Sequence, residues 1–319
     1  MRNTLTHKQS ASVEKREVFH EIFGLTISSV DPVVIGDFRL YNYNLHKTYL
    51  GKIYFPEHPN AISGYGFSSG EYDENRTWVS VTVDAIDTDE AIKVADEKFE
   101  VFQSIFRFFV SFIGDDYDIG ILNYRHRTID ETIILSSTNR SLRGHAKGTN
   151  RTIDYNILRS QLSGISISIE NMIEMYCKQR KSKIEKKLIT SLIFYGRAFL
   201  DLGKPISFLE SMMAIEALIQ RESDPFVSQS VSAQIVEYCT FLLGKTYDER
   251  IVIDKQMRNY YNIRSKLAHG ESSKASMQER KDVLLCARKL ITAFITDSDI
   301  NTFSDPDGLR EYILKLKYT

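Results

Sequence analysis

The chain has 319 residues, 42% of them apolar and 26% charged, an ordinary balance for a globular protein and enough length for two domains. A formal net charge of −1 excludes a globally basic nucleic-acid binder and leaves local patches open. The three scattered cysteines, Cys177, Cys239 and Cys286, match no zinc spacing, and no glycine-rich phosphate loop is present.

The polar start, MRNTLTHKQSASVEKREV, lacks the apolar core of a signal peptide, so residues 1–18 read as a flexible tail. No stretch approaches the roughly 20 apolar residues that span a bilayer. The expectation is a soluble cytoplasmic protein with no membrane partner.

Residues 19–156 read as a strand-rich α+β domain with one long helix. TWVSVTV (77–83) alternates with period two and puts Val79, Val81 and Val83 on one sheet face. Segments 33–41, 48–55, 117–124 and 128–136 read as further strands between Gly, Pro and Asn-containing turns. A helix starts at the capping pair Asp87 and Glu90 and carries Ala91, Val94, Phe99, Phe102, Phe106 and Phe109 at helical spacing. Residues 138–154 carry little apolar content and read as a loop or interdomain connection.

Residues 157–319 read as an all-α bundle. Helices are expected near 167–179, 183–202, 206–221, 230–243, 249–268 and 277–297, with a short one near 308–317. Pro205 precedes the third, while Gly244 and Gly270 stand where helices should end. All three cysteines fall in these apolar helical stretches and read as buried reduced thiols. Between Arg125 and Lys187 stand 13 Lys/Arg against 6 Asp/Glu, a local excess of +7. That belt is either a solvated helix end plus a polar loop or a phosphate-attracting surface, with Arg140, Arg143, Lys181, Lys186 and Lys187 as its candidate RNA contacts.

The one reactive pattern on a helix is Arg-x4-His in YYNIRSKLAHG (260–270). Two other matches, Arg2–His7 and Arg140–His145, fall in the tail and the loop. At about 100° per residue Met257, Tyr261, Arg264 and Ala268 lie within roughly 60° of one another, so Arg264 sits on the apolar face and needs an anionic partner. His269 lies about 140° away around an ideal helix. Either the chain bends at Gly270 to re-aim the imidazole, or two copies of the helix share one cleft. A helix C-cap is the structural alternative for His269, and a salt bridge within the bundle is that for Arg264.

YNIRSKLAHG, preceded by SFLESMMAIEALIQ (207–220), resembles the HEPN superfamily, most of all its ApeA-like variety, over roughly residues 185–297. The resemblance implies a helical bundle that dimerises, and a metal-independent endoribonuclease acting in toxin–antitoxin or anti-phage defence. It makes His269 the acid–base residue, Arg264 the ligand of the scissile phosphate, and Glu216 the acidic residue that orients Arg264. Tyr261 and Ser265 would support the site; Ser265 stands where catalytic members carry Asn, Asp or His. No acidic cluster of the two-metal type is recognisable, so no metal or other cofactor is expected and the 2′-hydroxyl would be the nucleophile. Expected partners are RNA, a second copy of the chain, and an antitoxin or trigger protein read by the N-terminal domain. A catalytically silent dimerisation or sensing module is the rival from another class; a helical partner of a separate nucleotidyltransferase is a third.

Overall fold

Strand β5 (Thr77–Ala85) organises the N-terminal region. Its alternation buries Val79, Val81, Val83 and Ala85 on one face. In this computed structural model, which describes residues 12–54, 56–58, 76–121, 130–136, 141–147, 151–219, 231–270, 274–301, 303 and 305–318, β5 is an inner strand of an antiparallel sheet. The order is β1 (Glu14–Ile22), β5, β4 (Phe38–Asn42), β3 (Val33–Ile35), with Val18 opposite Val81 and Phe38 also opposite Val81 on the other side. Strand β1 therefore absorbs residues 14–18 of the expected tail.

Helix α2 (Thr88–Val110) covers the valine face. Asp87 accepts the Glu90 N–H at 2.8 Å and the Glu90 carboxylate accepts the Ile86 N–H at 2.7 Å, so the expected capping pair forms. Phe99, Phe102, Phe106 and Phe109 are buried as their spacing demands. Beyond that stripe, every residue from Val101 to Val110 is buried, because helix α5 (Lys183–Leu200) packs on the other side of α2. The close approach is made at Gly196, where a Cβ would lie 2.9 Å from Ser104 Cα. Tyr195 donates to Ser111 Oγ at 2.7 Å, and Arg288 donates to the Ser111 carbonyl, tying the end of α2 to two C-terminal helices. One apolar core runs continuously from Ile22 to Ile313.

Four sequence expectations in this region are corrected. Of the strand expected at 48–55, residues 48–54 are helical and residue 55 lies outside the described residues: Tyr43–Tyr54 form helix α1, which buries His46 and Leu50 one turn apart on the second sheet face, beside Tyr41, Phe19 and Trp78. The aromatic content of TYLGKIY favours a strand locally, and this packing overrides it. Segment 33–41 is a tight hairpin, turned at Gly36 with φ +56°. Residues 117–121 make only bridges, Tyr117 to Arg151 and Gly120 to Phe23, and residues 122–124 lie outside the described residues. The stretch 138–154 is not all loop: β7 (Ser141–Lys147) pairs with β6 (Asp130–Ser136), which lies in the strand expected at 128–136, and β8 (Ile153–Asp154) pairs with β2 (Leu25–Thr26) in parallel.

The rest is helical: α3 (Tyr155–Gln161), α4 (Ile169–Cys177), α5, α6 (Ile206–Ile219), α7 (Val231–Leu243), α8 (Tyr247–Ala268), α9 (Met277–Thr296), α10 (Ser298–Asn301) and α11 (Pro306–Tyr318). Three capping boxes, Ser182/Glu185, Thr246/Glu249 and Ser276/Glu279, start α5, α8 and α9. Apolar nearly all round, α6 lies in the middle of the bundle against α5, α9, α8 and α7. By contrast α8 is polar and fully buries only Met257 and Tyr260. No helix among the described residues is long and apolar enough to cross a membrane.

Candidate active site on helix α8

Arg264 leaves the half-buried face of α8 and meets Glu216 on α6. Its Nη2 donates to Glu216 Oε2 at 3.1 Å, and its Nε stands 3.0 Å from Oε1. The Nε contact lies off hydrogen-bond direction, since Oε1 is buried without a hydrogen-bond partner among the described residues; it is a Coulombic contact. The guanidinium also stands 5.9 Å from the Tyr261 ring centroid, one helical turn earlier. The carboxylate is the deeper partner: 12% of the Glu216 side chain is exposed against 31% for Arg264. The sequence reading of Glu216 as the partner of Arg264 is thus realised in the fold.

Arg264 is not enclosed in the core, although it lies on the apolar side of α8. The helix is the outer one of its pair with α7, and Met213 on α6 and Ala268 on α8 are exposed nearby on the same faces as Glu216 and Arg264. Tyr260, 7% exposed, packs edge-on to Phe208 at 6.1 Å. Burial pushes its phenol up to about 12, so it is a neutral core residue rather than a stacking platform.

His269 is the C-cap of α8. Its N–H donates to the Ser265 carbonyl at 3.1 Å, and the Gly270 N–H donates to Leu267 at 3.2 Å, with Gly270 at φ +73°. This is a left-handed helix ending that glycine adopts without strain. The chain turns after the imidazole and not before it, so within one chain the bend does not bring His269 onto the Arg264 face. The imidazole is exposed and makes no hydrogen bond or ion pair among the described residues. Ser265, half-buried, serves the helix end through its carbonyl.

The lysines of the basic stretch divide. Lys187 on α5 reaches the Ala217 carbonyl of α6 at 3.4 Å, one residue after Glu216 in the chain. Nothing in the spacing of α5 and α6 reveals that approach. Lys181 turns back to the Lys178 carbonyl at 2.6 Å and lies over Tyr176. Lys186 is exposed. Arg143 falls on β7, and Arg140 lies outside the described residues.

Cavities of about 430, 380 and 560 Å3 occur beside Asn42 and Asp154, between α4, α5 and Phe294, and around the Leu162–Ile169 turn. Neither Arg264 nor His269 lines any of them. Arg264 thus stands at the half-buried surface that α8 shares with α6, and His269 is exposed at the end of the same helix. No protein-family model, no curated protein and no solved structure matches the chain.

Proposed function

We propose that this protein is an endoribonuclease of the HEPN type that cuts RNA without a metal ion, working as a homodimer in a toxin–antitoxin or anti-phage setting. The observation that carries the reading is the Glu216–Arg264 pair, which holds a half-exposed guanidinium on the same helix end as an exposed, unengaged His269. An anchored arginine next to open solvent suits a phosphate oxygen, because one edge of its fork is fixed and the remaining N–H groups are free to donate.

In this mechanism the RNA 2′-oxygen attacks the adjacent phosphorus and the 5′-oxygen leaves. His269 takes the 2′-proton or supplies one to the leaving oxygen, a role suited to imidazole near neutral pH. Arg264 stabilises the charge that builds on the phosphoryl oxygens. The products are a 2′,3′-cyclic phosphate and a 5′-hydroxyl. Since His269 and Arg264 point to different sides of one α8, a second copy supplies the missing half of each cleft. The N-terminal sheet domain would recognise a target, an antitoxin or a trigger protein.

A second reading has its own support. Glu216 already occupies the Arg264 fork, as it would in a purely structural ion pair, and this favours a catalytically silent dimerisation or sensing module. Incubation with total RNA, with and without EDTA, followed by end-group analysis, separates the two. Cleavage in EDTA with cyclic phosphate ends supports the nuclease. Wild-type cleavage rates in a folded His269→Ala variant would leave the silent module as the better account.

A further inference from the structure

Away from Arg264, helices α4, α5 and α9 enclose a groove of about 380 Å3. Its floor is Met172, Ile184, Leu188 and Phe294, each no more than 5% exposed, and its walls include the half-buried Met175 and Phe303. The Phe303 wall is held in place: its ring lies 5.9 Å from that of Tyr312, and a Cβ on Gly308 would come within 2.8 Å of it. The charged side chains that line the groove are Lys178 and Glu185. Glu185 also closes the capping box of α5, where it accepts the Ser182 N–H at 2.7 Å. Lys178 is exposed at the rim, and Glu185 takes one of its three ammonium N–H groups at 2.8 Å.

We propose that this groove binds a fatty-acid-like carboxylate, its single acyl chain laid on the apolar floor and its head at Lys178. Volume selects among apolar occupants. One turn of a helix, ~10–12 Å across and ~5.4 Å long, fills more space than the groove holds, so a partner helix does not fit inside it. A single chain does, in a space at the small end of the roughly 300–1,000 Å3 of ligand cavities. The thioether side chains of Met172 and Met175 bend to follow a flexible chain.

Charge selects the head group. Residues 178–183 carry Lys178, Arg180, Lys181 and Lys183 and no acidic side chain. The Glu185 charge is offset by Lys178 and by the helix N-terminus that it caps, which leaves the other three cations in excess. Beyond Ile295 the chain is acidic instead, with Asp297, Asp299 and Asp305 around Phe303 in the sequence. An anionic head is therefore drawn to the α4–α5 end and repelled from the far one. There, among the described residues, two ammonium N–H groups of Lys178 remain to donate to it. The groove shares no lining residue with the Glu216–Arg264 pair, so this ligand site stands apart from the proposed nuclease surface.

The test is equilibrium dialysis of the full chain against saturated carboxylates from hexanoate to dodecanoate, each below its micelle concentration. The expected result is one site per chain, with affinity rising about four-fold for each added methylene until the groove is full. Decanoate should bind about two- to five-fold more tightly than decanol, and Lys178→Gln should reduce that margin while leaving decanol binding unchanged. Decyltrimethylammonium should bind more weakly than either. Met175→Trp fills the groove from its half-buried wall and should abolish binding, with melting curves taken without ligand to show that the fold persists. The chain-length series on the wild type decides the matter even if that variant does not fold. Affinity independent of chain length would overturn the proposal, as would decanol or decyltrimethylammonium bound as tightly as decanoate. So would a margin unchanged by Lys178→Gln, wild-type binding by folded Met175→Trp, or no saturable binding of any of these ligands.

Discussion

Two carboxylates on α6 illustrate how environment separates identical side chains. Glu216 has a cation in reach, while Glu210 has a buried Oε2 with no hydrogen-bond partner among the described residues. Desolvation first, and then the charge of Asp201, raise Glu210 to about 7, against the opposing pull of Arg197 and Lys204. The folded state thus binds this proton more tightly than the unfolded chain. Below about pH 4.5 both states are protonated and nothing is lost; between there and about 7 the unfolded chain ionises first and stability falls as pH rises. Glu210→Gln should therefore raise the melting temperature at pH 8 and leave it nearly unchanged at pH 4.5; equal shifts at both values would refute this. At the proposed site, His269→Ala should lower RNA cleavage by about 10²-fold or more at unchanged stability. Arg264→Ala should cost similar activity and, by leaving Glu216 partly buried without its cation, also lower the melting temperature. Kinetics and melting curves measured on both variants distinguish these two patterns.

Contacts between elements set the next scale. Helices α2 and α5 meet where Gly196 faces Ser104, and the atoms a new Cβ would strike include backbone, which cannot rotate away. Gly196→Ala should destabilise by about 1–3 kcal/mol, the usual cost of overpacking, read as a lower urea midpoint at constant m. An unchanged midpoint would mean that the two helices slide apart freely. The N-terminal turn of α5 also carries the basic stretch, and Lys187 brings it to the Ala217 carbonyl near the end of α6. Charge reversal at Lys181, Lys186 and Lys187 should weaken RNA binding and flatten its salt dependence, because each phosphate neutralised releases counterion. A salt slope equal to that of the wild type would return these lysines to the solvated surface.

For the whole molecule the decisive question is how many copies make a site. A single α8 presents Arg264 toward α6 and His269 at its exposed end, and this helix buries few residues for its 22-residue length. The proposed cleavage therefore requires a two-fold dimer through the helical region. Light scattering at micromolar concentration should report twice the 36.8 kDa chain mass. A monomer that retains full RNase activity would contradict the composite cleft.

Local periodicity was enough for most helices. The phenylalanine stripe of α2, its Asp87–Glu90 cap and the glycine that ends α8 are short-range signals, and each stands in the fold where its spacing put it. Strand against helix was legible only where alternation was strict, as in β5; at residues 43–54 a β-like composition gave way to the burial of His46 and Leu50. The need of Arg264 for an anion could be anticipated because a cation on an apolar face demands one, whereas Glu216 as that anion was what the resemblance implied. Two features belong to tertiary structure alone: the reach of Lys187 to α6, and the burial that lifts Glu210. Each depends on how helices distant in sequence pack. Sequence spacing governs which residues share a helix face, whereas packing between helices decides what that face meets.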